Sequence, residues 1–321
     1  MKLFLSYLFT VVFIALLAEV LVWFYHPASA VFYTSVSPLP DFLTLSKNKE
    51  VSSMNLFLPI IDLFADLSTS QPKLSAKAVI VYDITASKTL FFKNPHKKFP
   101  MASLTKVMTA IIGIENQLPS DTYLVHKQDL VGENVMGLLA GEKLHLSDLL
   151  YGLILLSGND AAEVIASNYP YGRVQFIKAM NDKIQALGLK DTNFTNPSGL
   201  EGDGDQHTTA YDLLVITRHA LLTYPLFATV VQTITKDIPA ATTHQEYFLQ
   251  NETNLLTSYP GVKGVKTGYT PEAGLCLITY LEYKNHQIIA VLLGSENRRQ
   301  EMKDVLDYSL KQEGITPPKH E

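Results

Sequence analysis

Three short clusters in this chain set a hydroxyl beside a nitrogen: Ser103-Leu104-Thr105-Lys106, Ser157-Gly158-Asn159 and Lys266-Thr267-Gly268. Behind the first, Val107, Met108, Ile111, Ile112 and Ile114 follow Leu104 at nearly helical spacing, which predicts a core-facing helix opened by Ser103. Residues three apart on a helix share a face, so the Lys106 amine can reach the Ser103 hydroxyl proton. That is an activated nucleophile in outline. It requires a neutral lysine, a state that burial beside Val107 and a second nearby cation would both favour. Unpaired N–H groups at the helix start would also favour negative charge on an oxygen bonded to the serine.

An S-x-x-K arises by chance about once in a chain of this length at average composition, so the spacing alone decides nothing. Ser46 to Lys49 and Ser70 to Lys73 repeat it, but in polar sequence or running into Pro72, with no apolar helix directly behind. They read as decoys. Leu149 to Leu156, capped by Ser147-Asp148, predicts an apolar helix that stops at Ser157-Gly158-Asn159, with a new helix starting at Asp160. Such a triplet alone is a helix stop and cap, yet three small polar residues at the edge of a core also suit a cleft. Lys266-Thr267-Gly268 lies on a predicted strand, Gly264 to Tyr269, where the plainest reading is a strand end with a solvated lysine.

These clusters must be positioned by the rest of the chain. Ala76 to Asp83 and Thr89 to Phe92 predict a β-hairpin around a Thr85 to Lys88 turn, ahead of the Ser103 helix. Val174, Ile177, Met180, Ile184 and Leu187 form a helical stripe closed by Gly188. Asn193 to Asp205 is loop by its turn chemistry, and Thr209 with Asp212 forms a variant capping box for the next helix. His207, just before it, reads as a surface or capping residue and not as a base. Leu275 to Tyr283 and Ile288 to Gly294 predict a second hairpin, and Arg298 to Lys311 a last helix bearing Met302, Val305, Leu306 and Leu310. Strands at both ends of a helical middle argue for an α+β fold, an antiparallel sheet flanked by helices with an all-helical region.

Composition narrows the class. The chain has 321 residues, 47% apolar, with a net charge of −5, which suits one sizeable domain or two small ones plus accessories and gives no footing for nucleic acid. A single cysteine, Cys276, excludes an internal disulfide and a cysteine-based metal cluster, and the histidines lack paired zinc spacing, so no metal or cofactor is expected. Leu3 to Tyr25 is nearly all apolar and long enough to span a bilayer, while Ala28-Ser29-Ala30 has the form of a signal-peptidase site. Residues 1–26 are therefore expected to be a retained anchor or a signal peptide. Either way the remainder is expected outside the cytoplasm, membrane-bound, or secreted if residues 1–30 are cleaved. Residues 27–75 read as a linker or stalk whose apolar patch, Leu56 to Leu67, has no assigned role, and 76–315 as the folded domain.

The three clusters, in this order, form the S-x-x-K, S-x-N and K-T-G signature shared by penicillin-binding proteins and class A β-lactamases. More closely, the chain resembles the low-molecular-mass D-alanyl-D-alanine carboxypeptidases, peptidase family S11, from about Ala76 to Gly294. The stretches Met180-Asn181 to Gly188-Leu189, Thr195 to Leu200 and Tyr259-Pro260-Gly261 through Thr270 carry that likeness. The family's β-rich second domain and C-terminal amphipathic anchor have no expected counterpart after the last helix. The resemblance implies a β-lactamase/transpeptidase-like fold and a serine hydrolase that removes the terminal D-alanine from peptidoglycan stem peptides and is acylated by β-lactams. It assigns Ser103 as nucleophile, Lys106 as base and Ser157 to the proton path. Asn159, Lys266, Thr267, Gly268 and Tyr269 would bind substrate, with the N–H groups of Ser103 and Tyr269 as oxyanion hole and Lys266 as the cation that keeps Lys106 neutral.

Three rivals remain. A DD-endopeptidase would use the same machinery on cross-links. A class A-like β-lactamase would need a deacylating glutamate, and Glu201, flanked by Gly202-Asp203-Gly204, lacks the E-x-x-x-N context. A non-catalytic penicillin-binding sensor is disfavoured by the intact Ser103 and Lys106.

Overall fold

The computed structural model describes residues 71–320. The apolar span from Leu3, the Leu56 to Leu67 patch, most of the expected stalk, the Ser46 to Lys49 spacing and Ser70 lie outside the described residues.

Strands β1 (Ala78–Asp83) and β2 (Lys88–Lys93) form the first hairpin, and a 3-10 turn, Ala102–Thr105, runs into α1 (Lys106–Glu115). The short pair β3 (Tyr123–Leu124) and β4 (Lys143–Leu144) precedes a run of helices: α2 (Leu146–Leu155), α3 (Asn159–Ser167), α4 (Arg173–Ala186), α5 (Ala210–Thr223) and α6 (Pro225–Gln232). A second short pair, β5 (Thr235–Ile238) and β6 (Tyr247–Gln250), and one helical turn, α7 (Leu255–Ser258), lead back to the sheet. There β7 (Val262–Thr270), β8 (Gly274–Tyr283) and β9 (His286–Ser295) are followed by α8 (Arg298–Gln312).

The five-stranded sheet runs β2-β1-β9-β8-β7, antiparallel throughout. Its two faces divide the core by the two-residue period of a strand. Ala78, Ile80 and Tyr82 of β1 join the helices in the larger cluster, while Val79 and Val81 join Met302, Val305 and Leu306 of α8 in the other. Covered on both faces, β1 and β9 read as near-continuous apolar runs, AVIVY and IIAVLL. The β8–β9 turn passes through Lys284 (φ 47°) and Asn285 (φ 66°), the pair of left-handed residues a two-residue hairpin requires. This is the expected α+β architecture, and among the described residues no single helix is long and apolar enough to cross a membrane.

Some boundaries differ from the sequence reading for identifiable reasons. Helix α2 begins at Leu146, ahead of Ser147-Asp148, because the distant Asp121 carboxylate accepts from Leu146 N at 3.1 Å. Helix α4 ends as expected, with Gly188 left-handed (φ 73°) and Leu189 N donating to Ile184 O at 3.0 Å. Its stripe starts later, since Val174 is 75% exposed. Thr209 Oγ1 accepts from Asp212 N at 3.0 Å, but the Asp212 carboxylate turns away to Thr192 and Asp191, so only half of the capping box forms.

The sheet's outer cover depends on α8, so Leu306→Ala, which empties a fully buried site, should destabilise the protein by about 2–5 kcal/mol. Urea unfolding of the purified domain measures this directly.

Candidate active site

The structure corrects the expected helix start. Ser103 sits in the 3-10 turn, not in the α-helix, which begins only at Lys106. The tighter winding is closed by Leu104 N donating to Met101 O (3.2 Å) and Thr105 Oγ1 donating to Ala102 O (2.9 Å). Ala102 is left-handed (φ 48°), a conformation that disfavours a side chain.

Two glycines press on this turn from opposite sequence neighbourhoods. A Cβ on Gly199 (φ 88°) would lie 2.0 Å from Ala102 O, and one on Gly268 would lie 3.2 Å from Ser103 N. Gly268 of edge strand β7 thus sits where the strand presses on the Ser103 turn, and a side chain there would push its neighbours back by a few tenths of an ångström. The Gly199 loop is stitched to itself and to α1. Asn196 Oδ1 accepts from Ser198 N (3.2 Å) and Gly199 N (2.7 Å), Thr109 Oγ1 donates to Pro197 O (2.6 Å), and Gln206 Nε2 donates to Thr105 Oγ1 (3.2 Å).

The Lys106 amine is fully buried and has three oxygen neighbours: Ser103 Oγ at 2.9 Å, Asn159 Oδ1 at 2.7 Å and the Ser198 carbonyl at 2.6 Å. Asn159 is oriented by its amide nitrogen, which donates to Glu133 O at 2.7 Å, so its oxygen faces the lysine. Asn159 Oδ1 and Ser198 O can only accept. In a neutral amine they take both N–H groups, and the remaining lone pair points at Ser103 Oγ.

Burial pushes the Lys106 pKa well down, and the positive charge of Lys266 pushes it further, against a weaker pull from Glu252, Asp160 and Glu163. Lys266 is also buried, with its amine donating to Thr267 O at 3.0 Å. Desolvation lowers it to about 7, with Glu252 opposing and Arg298 assisting.

A groove of about 630 Å³ opens onto the serine, lined by Ser103, Asn159, Tyr269 and Glu201 among others. Ser157, left-handed (φ 57°), occupies the break before Asn159; it, Lys266 and Thr267 are buried and do not line the groove. His207 stays outside the lining, paired across a β-bridge with Asn193, and its Nδ1 is 3.1 Å from the exposed Asp205 carboxylate. Among the described residues no group of His, Cys, Asp and Glu could hold a metal ion.

A family model described as D-alanyl-D-alanine carboxypeptidase, peptidase S11, matches residues 65–297. The chain belongs to this family. It is 32% identical over 256 residues to the D-alanyl-D-alanine carboxypeptidase DacF of Bacillus subtilis, covering 76% of this chain and 64% of the relative, just under two thirds of its length. A D-alanyl-D-alanine endopeptidase of Pseudomonas aeruginosa is 33% identical over 250 residues, with 72% and 78% covered. The crystal structure of the Streptomyces K15 DD-transpeptidase superposes with a TM-score of 0.71 at 29% identity, over 76% of this chain and 100% of that one.

In this S11 family member, two contributors to the site carry no local sequence signal. Arg298, at the start of α8, donates from Nη1 to Gly268 O at 2.7 Å, bracing β7 where it meets the serine turn. Glu252 is a carboxylate whose field opposes the lowering of both lysines, and its backbone N donates to Leu155 O at 3.0 Å, just ahead of the Ser157 break. An arginine opening a polar helix and a glutamate in a loop look like surface residues until the sheet edge is assembled. Glu201 is at the groove, with Oε1 accepting from Glu272 N at 2.9 Å.

The buried Lys266 sets a sign for stability against pH. Its folded pKa of about 7 lies below the ordinary lysine value of 10.5, so between the two the unfolded chain binds more protons and stability rises with pH. The cost of burying its charge is present in full below about 7. Lys266→Met should therefore be more stable than the parent at acidic pH, with the gap narrowing as pH climbs from about 7 towards 10.5. Denaturant midpoints measured across that range test it, and a gap independent of pH would contradict the argument.

Proposed function

We propose that this protein is a serine-type D-alanyl-D-alanine carboxypeptidase that removes the terminal D-alanine from peptidoglycan stem peptides and is acylated by β-lactams. The observation that carries the reading is the buried Lys106 amine, 2.9 Å from Ser103 Oγ and tied on its other sides to two acceptor oxygens. Family membership supports the substrate class.

In the proposed reaction Ser103 Oγ attacks the carbonyl joining the two D-alanines while Lys106 Nζ takes the hydroxyl proton. The oxyanion forms against the backbone N–H groups of Ser103 and Tyr269. Collapse breaks the C–N bond, and the departing amine receives the proton through Lys106 and Ser157. The terminal carboxylate is assigned to Lys266 and Thr267, which are buried and would have to open to the groove to reach it, and the peptide to Asn159, which already lines it. A water then attacks the ester, releasing the shortened peptide and returning the proton to Ser103 Oγ.

The endopeptidase-named relative supports a second reading, cleavage of cross-links by the same residues. Comparison of linear and cross-linked muropeptides as substrates separates the two. The proposed location is the outer face of the cytoplasmic membrane, anchored by the apolar segment from Leu3 or secreted after its cleavage; membrane fractionation of the full chain with N-terminal sequencing tests this.

Incubation with penicillin should add one acyl group to the peptide bearing Ser103, seen by mass spectrometry, and Ser103→Ala should abolish it. Lys106→Ala should slow acylation by about 10²–10⁴-fold, as for loss of a general base. The adduct should persist, with slow nitrocefin turnover; an adduct elsewhere, or one retained in Ser103→Ala, would refute the assignment.

A further inference from the structure

Asp160, next to Asn159, is 1% exposed and is not among the residues lining the groove. Oδ1 accepts from Met136 N (2.8 Å) and from Ala161 N in its own helix (2.8 Å). Oδ2 accepts from Gly137 N (2.9 Å) and Leu138 N (3.1 Å). A carboxylate in the first turn of a helix ordinarily spends its acceptors on that helix. Here three of the four donors come from a separate loop.

That loop is the one that holds Asn159. Glu133 O accepts from Asn159 Nδ2 (2.7 Å), and Asn134 O accepts from Asn159 N (2.8 Å). To present both carbonyls inward, Glu133 (φ 61°) and Asn134 (φ 43°) are consecutively left-handed, a conformation that persists only when its surroundings enforce it. Two residues further on, the Asp160 carboxylate takes up the N–H groups and supplies that enforcement. The chain of contacts then runs from Asp160 to the loop, from the loop to Asn159, and from Asn159 Oδ1 to Lys106 Nζ at 2.7 Å.

We infer that Asp160 is a positioning residue for acyl transfer: it clamps the Glu133–Leu138 loop so that two loop carbonyls fix Asn159, and through it the proton-accepting lysine. The inference rests on the proposed reaction for its kinetic arm and on the loop geometry alone for its structural arm. Asparagine cannot replace it. One amide oxygen could still accept, but the amide nitrogen would face N–H donors of the loop.

The kinetic arm is a double-mutant cycle on acylation by a fluorescent penicillin, with thermal unfolding confirming that each variant is folded. Asp160→Asn should slow acylation about 100-fold, the scale of a misplaced catalytic group. Asn159→Ala should lose a similar factor, and the double variant should be no slower than Asn159→Ala, because both act through one amide. A merely structural carboxylate would lower the unfolding temperature and leave acylation by the folded fraction within about 3-fold of the parent, or would give losses that multiply; either result overturns the proposal.

Wild-type acylation at Ser103 is the control that separates failure of the clamp from failure of the assigned reaction. If Asp160→Asn does not fold, or the wild type is not acylated, hydrogen exchange in the unmodified protein decides. The Met136, Gly137 and Leu138 amides should exchange as slowly as the core amides of α3, and exchange at the rate of an open loop overturns the clamp.

Discussion

The site depends on a lysine amine buried without a carboxylate partner. Lys106 is seated by the apolar face of α1, and two acceptor-only oxygens meet its N–H groups. An ammonium would ordinarily be stabilised by such oxygens, but here desolvation and the second buried cation outweigh them. The depressed pKa of the amine is therefore a property of the whole assembly: the helical layer removes water, β7 delivers Lys266, the Asn196–Gly199 loop delivers a carbonyl, and α3 delivers Asn159. Remove any one and the amine gains either water or a different set of partners.

Part of the chain's backbone strain falls at this site. Ala102, Glu133, Asn134 and Ser157, all left-handed without being glycine, lie in the Ser103 turn, the groove lining or the α2–α3 break. At about 1–3 kcal/mol each, such residues endure only inside a structure that over-determines them. The over-determination comes from the double-sided core. With both faces of β1 and β9 covered, the sheet is a rigid floor, and its edge strand β7 can be pressed against a strained turn without yielding. The same contact protects the edge, since an unpaired strand edge would otherwise invite pairing with another chain.

Much of this was legible in the sequence because strand alternation, glycine caps and helix stops are local. The five sheet strands, α4, α5 and α8 followed from periodicity, and Ser103, Lys106, Asn159 and Lys266 from motif spacing read with the elements behind them. What escaped was non-local. The α2 start depends on Asp121, 25 residues upstream. The 3-10 form of the serine turn depends on Gly199 and Gly268, which approach it only in the fold. Arg298 meets Gly268 across 30 residues of sequence, and Glu252 acts on two lysines from a loop with no recognisable pattern. Pairs of strands of 2 and 4 residues, β3–β4 and β5–β6, are too short for a period to show.

Under the proposed reaction, the geometry also bears on how one nucleophile would process peptides yet stall on β-lactams. Lys106 has a single lone pair, and under the proposed reaction it must accept the serine proton, pass it to the leaving amine, and then be free to take a proton from water. A peptide's leaving group departs and clears the path. The amine expelled from a β-lactam stays covalently attached to the acyl group, so it continues to occupy the approach to the ester. A second base on the opposite side of the groove could bypass the block, and Glu201 is the carboxylate nearest to that description. Its Oε1 accepts from Glu272 N at 2.9 Å, and its neighbours Gly202, Asp203 and Gly204 offer no asparagine at the spacing that would help it hold a water.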